Sequence, residues 1–260
     1  MAKKFYVVWQ GRETGIFTDW ATCKRQVDQF AGARYKSFKT LAEAEAAFSG
    51  TKSAPGKSAS RAKAGGNAKH QNGTGKSKTY TADEIAALAV EIKIFTDGGC
   101  EPNPGKAGSG MAVYHQGAVD TLWYGLYNPN GTNNTAELNA LNQAMKMAQD
   151  EIDAGRSVAI FCDSKYSIQC ITQWAVNWQK NGWKKSGGEI KNLVLIQEMF
   201  ARYQQLKGQV QVLHVNGHVG VEGNELADRM SILAIEAREP EFKCYSQPLD
   251  IETILAMRAG

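Results

Sequence analysis

The stretch Ile92-Lys93-Ile94-Phe95-Thr96-Asp97-Gly98-Gly99 reads as an apolar core strand that ends on a carboxylate and two glycines. Such a run delivers Asp97 to the rim of a sheet, where the glycines let a ligand approach the backbone. Asp-Gly is also a preferred turn pair, so taken alone the stretch reads rather as an ordinary hairpin turn. Three further acids change that reading. Glu137 opens a predicted helix, Asp163 ends the apolar strand Ser157 to Cys162, and Asp228 interrupts a late helix. Each adjoins an apolar element that a core would bury, where an unpaired charge is costly. Four acids gathered there require cations.

Working outward, predicted strands at 91–97, 108–115 and 119–127 follow one another closely enough for an antiparallel meander. A helix over about 134–149, a strand at 157–162, helices across 164–206 broken by Gly182 and Gly187-Gly188, a strand at 209–215 and a helix from 223 complete the pattern. Three meandering strands followed by αβαβα predict an α/β fold, one five-stranded mixed sheet with helices on both faces. Residues 4–48 predict a separate small α/β unit of three antiparallel strands and two helices, with Phe5 to Trp9, Ile16-Phe17 and Arg34 to Phe38 as strands. The second of its helices follows a capping box at Thr40 and Glu43. The expected divisions are 1–48, a linker at 49–82, a main domain at 83–236, and an extension at 237–260 in which Ile251, Ile254, Leu255 and Met257 suggest a short docked helix of no assigned role.

The chain of 260 residues carries a net charge of +4 that conceals a segregation. Basic residues outnumber acidic ones eight to five in 1–48 and seven to none in 49–82, whereas acids lead twenty-one to fifteen in 83–260. The Gly-, Ser-, Ala- and Lys-rich linker cannot bury enough apolar surface to fold, and it serves either as a solvated spacer or as a tracker of phosphates. No apolar run reaches the length of a membrane span and none resembles a signal-peptide core, so a soluble cytoplasmic protein is expected. Five cysteines, odd in number and without a C-x-x-C pair, suggest neither a disulfide framework nor a zinc site.

Taken singly, each acid has a structural alternative. Glu137 suits a first helical turn, where it complements the helix dipole or closes a box with Asn134. Asp163 suits a helix cap. Asp228 has the weakest alternative, because Asp is a poor helix former and its neighbours Leu226, Ala227 and Met230 face a core. His214 and His218 form an H-x-x-x-H spacing, but His214 belongs to an alternating strand and Gly217 breaks any helix between the two.

Four motifs in order, Phe95-Thr96-Asp97-Gly98-Gly99-Cys100-x-Pro102-Asn103-Pro104-Gly105, Thr132-Asn133-Asn134-Thr135-Ala136-Glu137, Phe161-Cys162-Asp163-Ser164 and Gly217-His218-x-Gly220-x-x-Gly223-Asn224-x-x-Ala227-Asp228, resemble the catalytic domain of type 1 ribonucleases H over about 91–236. The stretch from Phe5-Tyr6-Val7-Val8 through Gly11-Arg12-x-Thr14-Gly15-Ile16-Phe17, Trp20, Cys23 and Gln26-Val27 to Ala33-Arg34-Tyr35-Lys36-x-Phe38 resembles the RNA/DNA hybrid-binding domain at the front of many members. The resemblance implies an endonuclease that cuts the RNA strand of RNA/DNA hybrids, leaving 3′-hydroxyl and 5′-phosphate ends. It implies two Mg²⁺ ions, with Mn²⁺ a possible substitute, on Asp97, Glu137, Asp163 and Asp228. It assigns His218 to proton transfer or product release.

The resemblance further implies that Asn103, Asn133 and Asn134, with Cys100 nearby, read ribose 2′-hydroxyls, which both donate and accept and so suit amide partners. Asn134 stands where the family often has Gln, and these asparagines are also apt turn and cap residues. Thr132 and Asn192 align with a DNA-phosphate pocket whose common arginine is Asn130 here. Tyr166, Trp174 and Trp178, in a segment that interleaves aromatics with lysines, align with a DNA-strand channel, while Trp183 is the best candidate for a core tryptophan. In the front unit Tyr6, Trp20, Tyr35 and Lys36 align with hybrid-contacting residues, Trp20 having core packing as its alternative. The expected partner is the hybrid duplex, with no membrane, no obligate protein partner and a monomeric state. Two rivals are a non-catalytic hybrid-binding adaptor and a transposase or integrase of the same fold.

Overall fold

The computed structural model describes residues 4–48, apart from 29, 31–32, 39, 42–43 and 46–47, together with 78–217 and 220–260. The chain forms two compact units, residues 1–72 and 73–260. In the first, β1 (Phe5–Gln10), β2 (Gly15–Phe17) and β3 (Arg34–Phe38) form the expected antiparallel sheet in the order β2-β1-β3. Helix α1 (Trp20–Val27) starts at Asp19, whose side chain accepts the Thr22 N–H at 2.8 Å. It packs Cys23 and Val27 on Val8 to make a small core. Arg12 fastens the β1–β2 turn to the helix end through the carbonyls of Arg25 and Asp28. The second expected helix, after Thr40, lies mostly outside the described residues.

The second unit begins earlier than the sequence reading places it. Thr79–Tyr80 is a short strand, β4, that pairs in parallel with His214–Val215, and α2 (Ala82–Ala86) follows with a complete Thr81/Glu84 capping box. The expected linker therefore yields its last residues to the fold, because the Thr79 hydroxyl and backbone find partners on His214; residues 49–77 lie outside the described residues.

The core meander is β5 (Ile92–Glu101), β6 (Gly105–His115) and β7 (Ala118–Gly131), each longer than expected. Next come α3 (Asn133–Asp153), β8 (Val158–Cys162), α4 (Lys165–Gln169), a π-helical turn (Cys170–Trp174), α5 (Ala175–Lys180), α6 (Leu193–Leu206), β9 (Val210–Val215) and α7 (Glu222–Ala237). The strand β10 (Lys243–Cys244) and α8 (Ile251–Leu255) come last. The five expected strands form the centre of a mixed sheet of order β10-β7-β6-β5-β8-β9-β4, and the two-residue strands β10 and β4 add its edges.

Helices cover both faces. On one, α3 buries Leu138, Leu141, Met145 and Ala148, spaced by three and four residues, against Ile92 and Ile94. Each large apolar side chain so buried contributes about 1.5–3 kcal/mol. On the other, α7 sets Leu226, Ala227 and Met230 against Phe95, Ala112 and Phe161. Gly110 permits this approach, since a Cβ there would stand 2.0 Å from the Ala227 carbonyl oxygen.

Candidate active site

Four carboxylates reach one cleft from four elements. Asp97 is not in a turn: it lies within β5, opposite Gly110 of β6. The parallel pairing of β5 with β8 ends at Thr96–Cys162, so on that side Asp97 stands just beyond the sheet. Gly98 and Gly99 line the cleft, where the sequence reading expected them to admit a ligand, and they also serve helix packing. A Cβ on Gly98 would lie 2.2 Å from the Glu137 amide nitrogen, and one on Gly99 2.9 Å from Ser231 Oγ. Asp97 is thereby pressed between α3 and α7.

Glu137 lies in the second turn of α3. The cap belongs to Thr132, which accepts the Thr135 N–H at 3.2 Å, so neither a capping box nor a surface charge explains the glutamate. It is buried, and its Oε2 has no hydrogen-bond partner among the described residues. Asp163 follows β8; Ser164 takes the helix cap in its place, accepting from Ser167 N at 3.3 Å. The side chain of Asp163 accepts from Asn224 Nδ2 at 3.4 Å. Asp228, buried in α7, accepts from Arg229 Nη1 and from the Gly260 amide.

The four acids line one cavity of about 380 Å³ with Cys100 and Asn133. Burial, then the charges of Asp163 and Asp228, pushes the Asp97 carboxyl well above the usual range. Burial, then Asp97 and Asp163, does the same to Glu137. Such raised values are what like charges in a dry cleft produce when no cation offsets them. Glu137, Asp163 and Cys162 also present ligand atoms within 4.8 Å of one another, and burial raises the Cys162 thiol well above its ordinary range. Two of these three groups offer oxygen, which suits a hard cation.

The sequence reading did not assign the supports of this cleft. Ser231 Oγ stands 3.3 Å from Asp97 Oδ2 and 2.9 Å from the Asp228 carbonyl. His214 bridges β4 to the site: its Nε2 donates to the Asp163 carbonyl at 3.2 Å, and its Nδ1 lies 2.8 Å from the Thr79 hydroxyl. With both ring nitrogens engaged and its pKa lowered by burial and then Lys165, His214 is a neutral structural histidine. A histidine at an alternating strand position was the only sequence signal. His218 lies outside the described residues.

Beside the cleft, Asn103 Oδ1 accepts the Asn133 amide at 3.2 Å. Asn103, Thr132, Asn134, Tyr166 and Asn192 line a second cavity of about 470 Å³, with Lys191 on its wall. Thr135 Oγ1 links Thr132 Oγ1 at 2.8 Å to Asn192 Oδ1 at 3.0 Å. Asn192 sits in the left-handed region at φ 58°, which asparagine tolerates. Tyr166, Trp174 and Trp178 form a chain of rings with centroids 5.8 and 5.9 Å apart, half-buried on the core. Trp183 meets Phe200 edge to face, which bears out its packing role.

In the first unit Trp20 is exposed, not a core residue, and its ring lies between Tyr6 at 5.5 Å and Tyr35 at 5.9 Å. Alternation along β3 sends Lys36 to the opposite face, where its Nζ lies 5.6 Å from the Phe38 ring.

Comparison with known proteins agrees with this anatomy. A family profile described as RNase H matches residues 89–236, and one described as Ribonuclease H1 N-terminal domain matches residues 4–48. Ribonuclease H1 of Mus musculus is 31% identical over 255 residues, covering 87% of either chain. Ribonuclease H of Thermosynechococcus vestitus is 39% identical over 137 residues, 52% of this chain and 82% of that protein. Among solved structures, LC9-RNase H1, described as a type 1 RNase H with the type 2 active-site motif, superposes with a TM-score of 0.50 at 23% identity. It covers 66% of this chain and 87% of that one, and shares the fold. A mixed sheet that gathers carboxylates at its centre, behind a separate three-stranded unit, is thus matched along both parts of its length, and the chain belongs to the RNase H family of nucleases, among the ribonucleases H1 that carry an N-terminal domain.

Proposed function

We propose that this chain hydrolyses the RNA strand of RNA/DNA hybrids from within, leaving 3′-hydroxyl and 5′-phosphate ends, with Asp97, Glu137, Asp163 and Asp228 holding two Mg²⁺ ions. The observation that carries the reading is the convergence of four carboxylates in one cleft with Glu137 Oε2 buried and unpartnered among the described residues. Hard divalent cations would activate water and relieve charge on the leaving oxygen. The residues themselves do the rest. Asp97 and Glu137 are held dry between α3 and α7, which keeps their oxygens in place for the cations. Asn224 and His214 fix Asp163 from two sides, at its carboxylate and at its carbonyl.

Asn103, Asn133, Asn134 and Cys100 face the ribose strand in this reading, and the relay from Thr132 to Asn192 receives a phosphate of the DNA strand. Tyr166, Trp174 and Trp178 line the path of that strand. In the first unit the exposed trio Tyr6, Trp20 and Tyr35 stacks on nucleotides, while Lys36, on the other face, acts through charge alone. Residues 49–77 tether the two units. His218 moves a proton or releases product, and the protein acts as a monomer without an obligate partner.

The test is a gel assay of end-labelled RNA/DNA, RNA/RNA and DNA/DNA duplexes with Mg²⁺. Only the RNA of the hybrid should be cut, and Asp97→Asn should abolish cutting while the hybrid is still bound. Cleavage of duplex DNA, or strong Mg²⁺-dependent turnover by Asp97→Asn, refutes the reading.

A further inference from the structure

Residues beyond α7 return to the cleft. Strand β10 pairs with β7, Phe242 stacks on Trp123, and α8 buries Ile254 on the core while Arg229 Nε donates to the Leu255 carbonyl at 3.2 Å. This anchors the chain as far as Met257, which packs on the same core and whose amide donates to the Ile254 carbonyl at 3.1 Å. Past the end of α8 it runs into the cavity that holds the four acids, so that Arg258, Ala259 and Gly260 form part of its wall.

Two contacts hold this segment at the cleft. The Gly260 amide donates to both carboxylate oxygens of Asp228, at 3.1 and 3.2 Å. The Arg258 guanidinium bridges Glu101, at the end of the strand that carries Asp97, and Glu236, at 3.6 Å in α7. The fit is close: a Cβ on residue 260 would stand 2.7 Å from Asp228 Oδ1.

We propose that Arg258–Gly260 is an autoinhibitory strap that occupies the metal cleft and must swing out before cations bind. The proposal rests on the metal reading of the four acids. An oxygen lone pair that accepts the Gly260 N–H is not free for a cation, so strap and cation compete for Asp228. The two ends of the segment differ in strength. Apolar burial holds α8, whereas the Arg258 side chain is half-exposed and its ion pairs are weak. The Met257–Arg258 junction is therefore the hinge, and only the residues after it move. The strap raises the cation concentration needed for activity by the reciprocal of the fraction of molecules it leaves open.

Mn²⁺ binding to the full chain without nucleic acid, followed by electron paramagnetic resonance, tests the strap apart from catalysis. Arg258→Ala and Gly260→Pro, which removes the amide donor, should each bind Mn²⁺ about fivefold tighter than the parent, and Arg258→Lys should match the parent. Amide hydrogen exchange at residues 258–260 should accelerate when Mg²⁺ is added to the parent. Unchanged or weaker Mn²⁺ binding in both variants, or Gly260 protection that rises with Mg²⁺, overturns the strap. Asp97→Asn separates the two ideas: parent binding that depends on Asp97 without a gain in the variants refutes the strap alone, and the absence of Asp97-dependent binding removes the metal reading and the strap with it.

Discussion

Gly110→Ala adds a single methyl group beside Asp97 and should disable the site through α7. The added Cβ would lie 2.0 Å from the Ala227 carbonyl oxygen and 2.4 Å from the Ser231 amide nitrogen. Both are backbone atoms of α7, so no rotamer change relieves the clash. Reaching about 3 Å requires α7 to retreat by about 1 Å, an overpacking strain of about 1–3 kcal/mol. For a unit of this size that lowers the melting temperature by roughly 2–4 °C per kcal/mol. Asp228 follows Ala227 directly and Ser231 touches Asp97, so the shift spreads the carboxylates apart. A displacement of about 1 Å costs about 100-fold in rate. Initial rates on a hybrid at saturating Mg²⁺, with thermal denaturation of the same samples, measure both effects. Gly187→Ala, where nothing lies within 4 Å of the new Cβ, is the control and should be neutral. A Gly110→Ala enzyme with parental rate and melting temperature would show that α7 is not what places Asp228.

Removing acid should stabilise the metal-free protein. Because burial and like charges raise the Asp97 and Glu137 carboxyls, their protonation contributes stability that is complete below ordinary carboxylate values and is lost as pH rises through the folded-state values. Metal-free melting temperature should therefore fall with rising pH, less so in Asp97→Asn, and Mg²⁺ should restore it in the parent only. Ser231→Ala deletes the hydroxyl that contacts Asp97 Oδ2 and should cost about 0.5–1.5 kcal/mol, with a lower rate and unchanged hybrid affinity in a filter-binding assay. Trp20→Ala should weaken hybrid binding by about 1–3 kcal/mol without altering its salt dependence, since stacking displaces no counterions. Neutralising the lysines of residues 49–77 should do the reverse, flattening the salt dependence at modest cost in affinity.

The sheet and the acids were legible because period and motif act locally. The run from Ile92 to Thr96 shows a buried strand by its own composition, and Asp228 stands out among core-facing neighbours. The supports were not legible, since each depends on a pairing across more than fifty residues. Thr79 belongs to the sheet only because His214 lies beside it, and Ser231 matters only because α7 crosses β5 at Asp97. The glycines at 98 and 99 showed a bare backbone and so a place at the cleft, but not the helices that also come to cover it. That Lys36 leaves the sheet on the face opposite Tyr35 shows only once strand alternation is seen in the pairing of β1 with β3.

The strand β4 has a consequence for how the protein is made. Thr79 and Tyr80 pair with residues 214 and 215, so the first strand of the second unit waits until β9 has been synthesised. The first unit, whose strand pairings all fall within residues 5–38, is complete while most of the chain is still to come. Domains that fold as units during synthesis do so from the front, and pairings between distant residues form late. On the ribosome the nascent chain therefore passes through an interval in which the aromatic trio is already displayed while Asp228 has not yet been added. In that interval the unit proposed to hold the hybrid is complete while the proposed metal site is not.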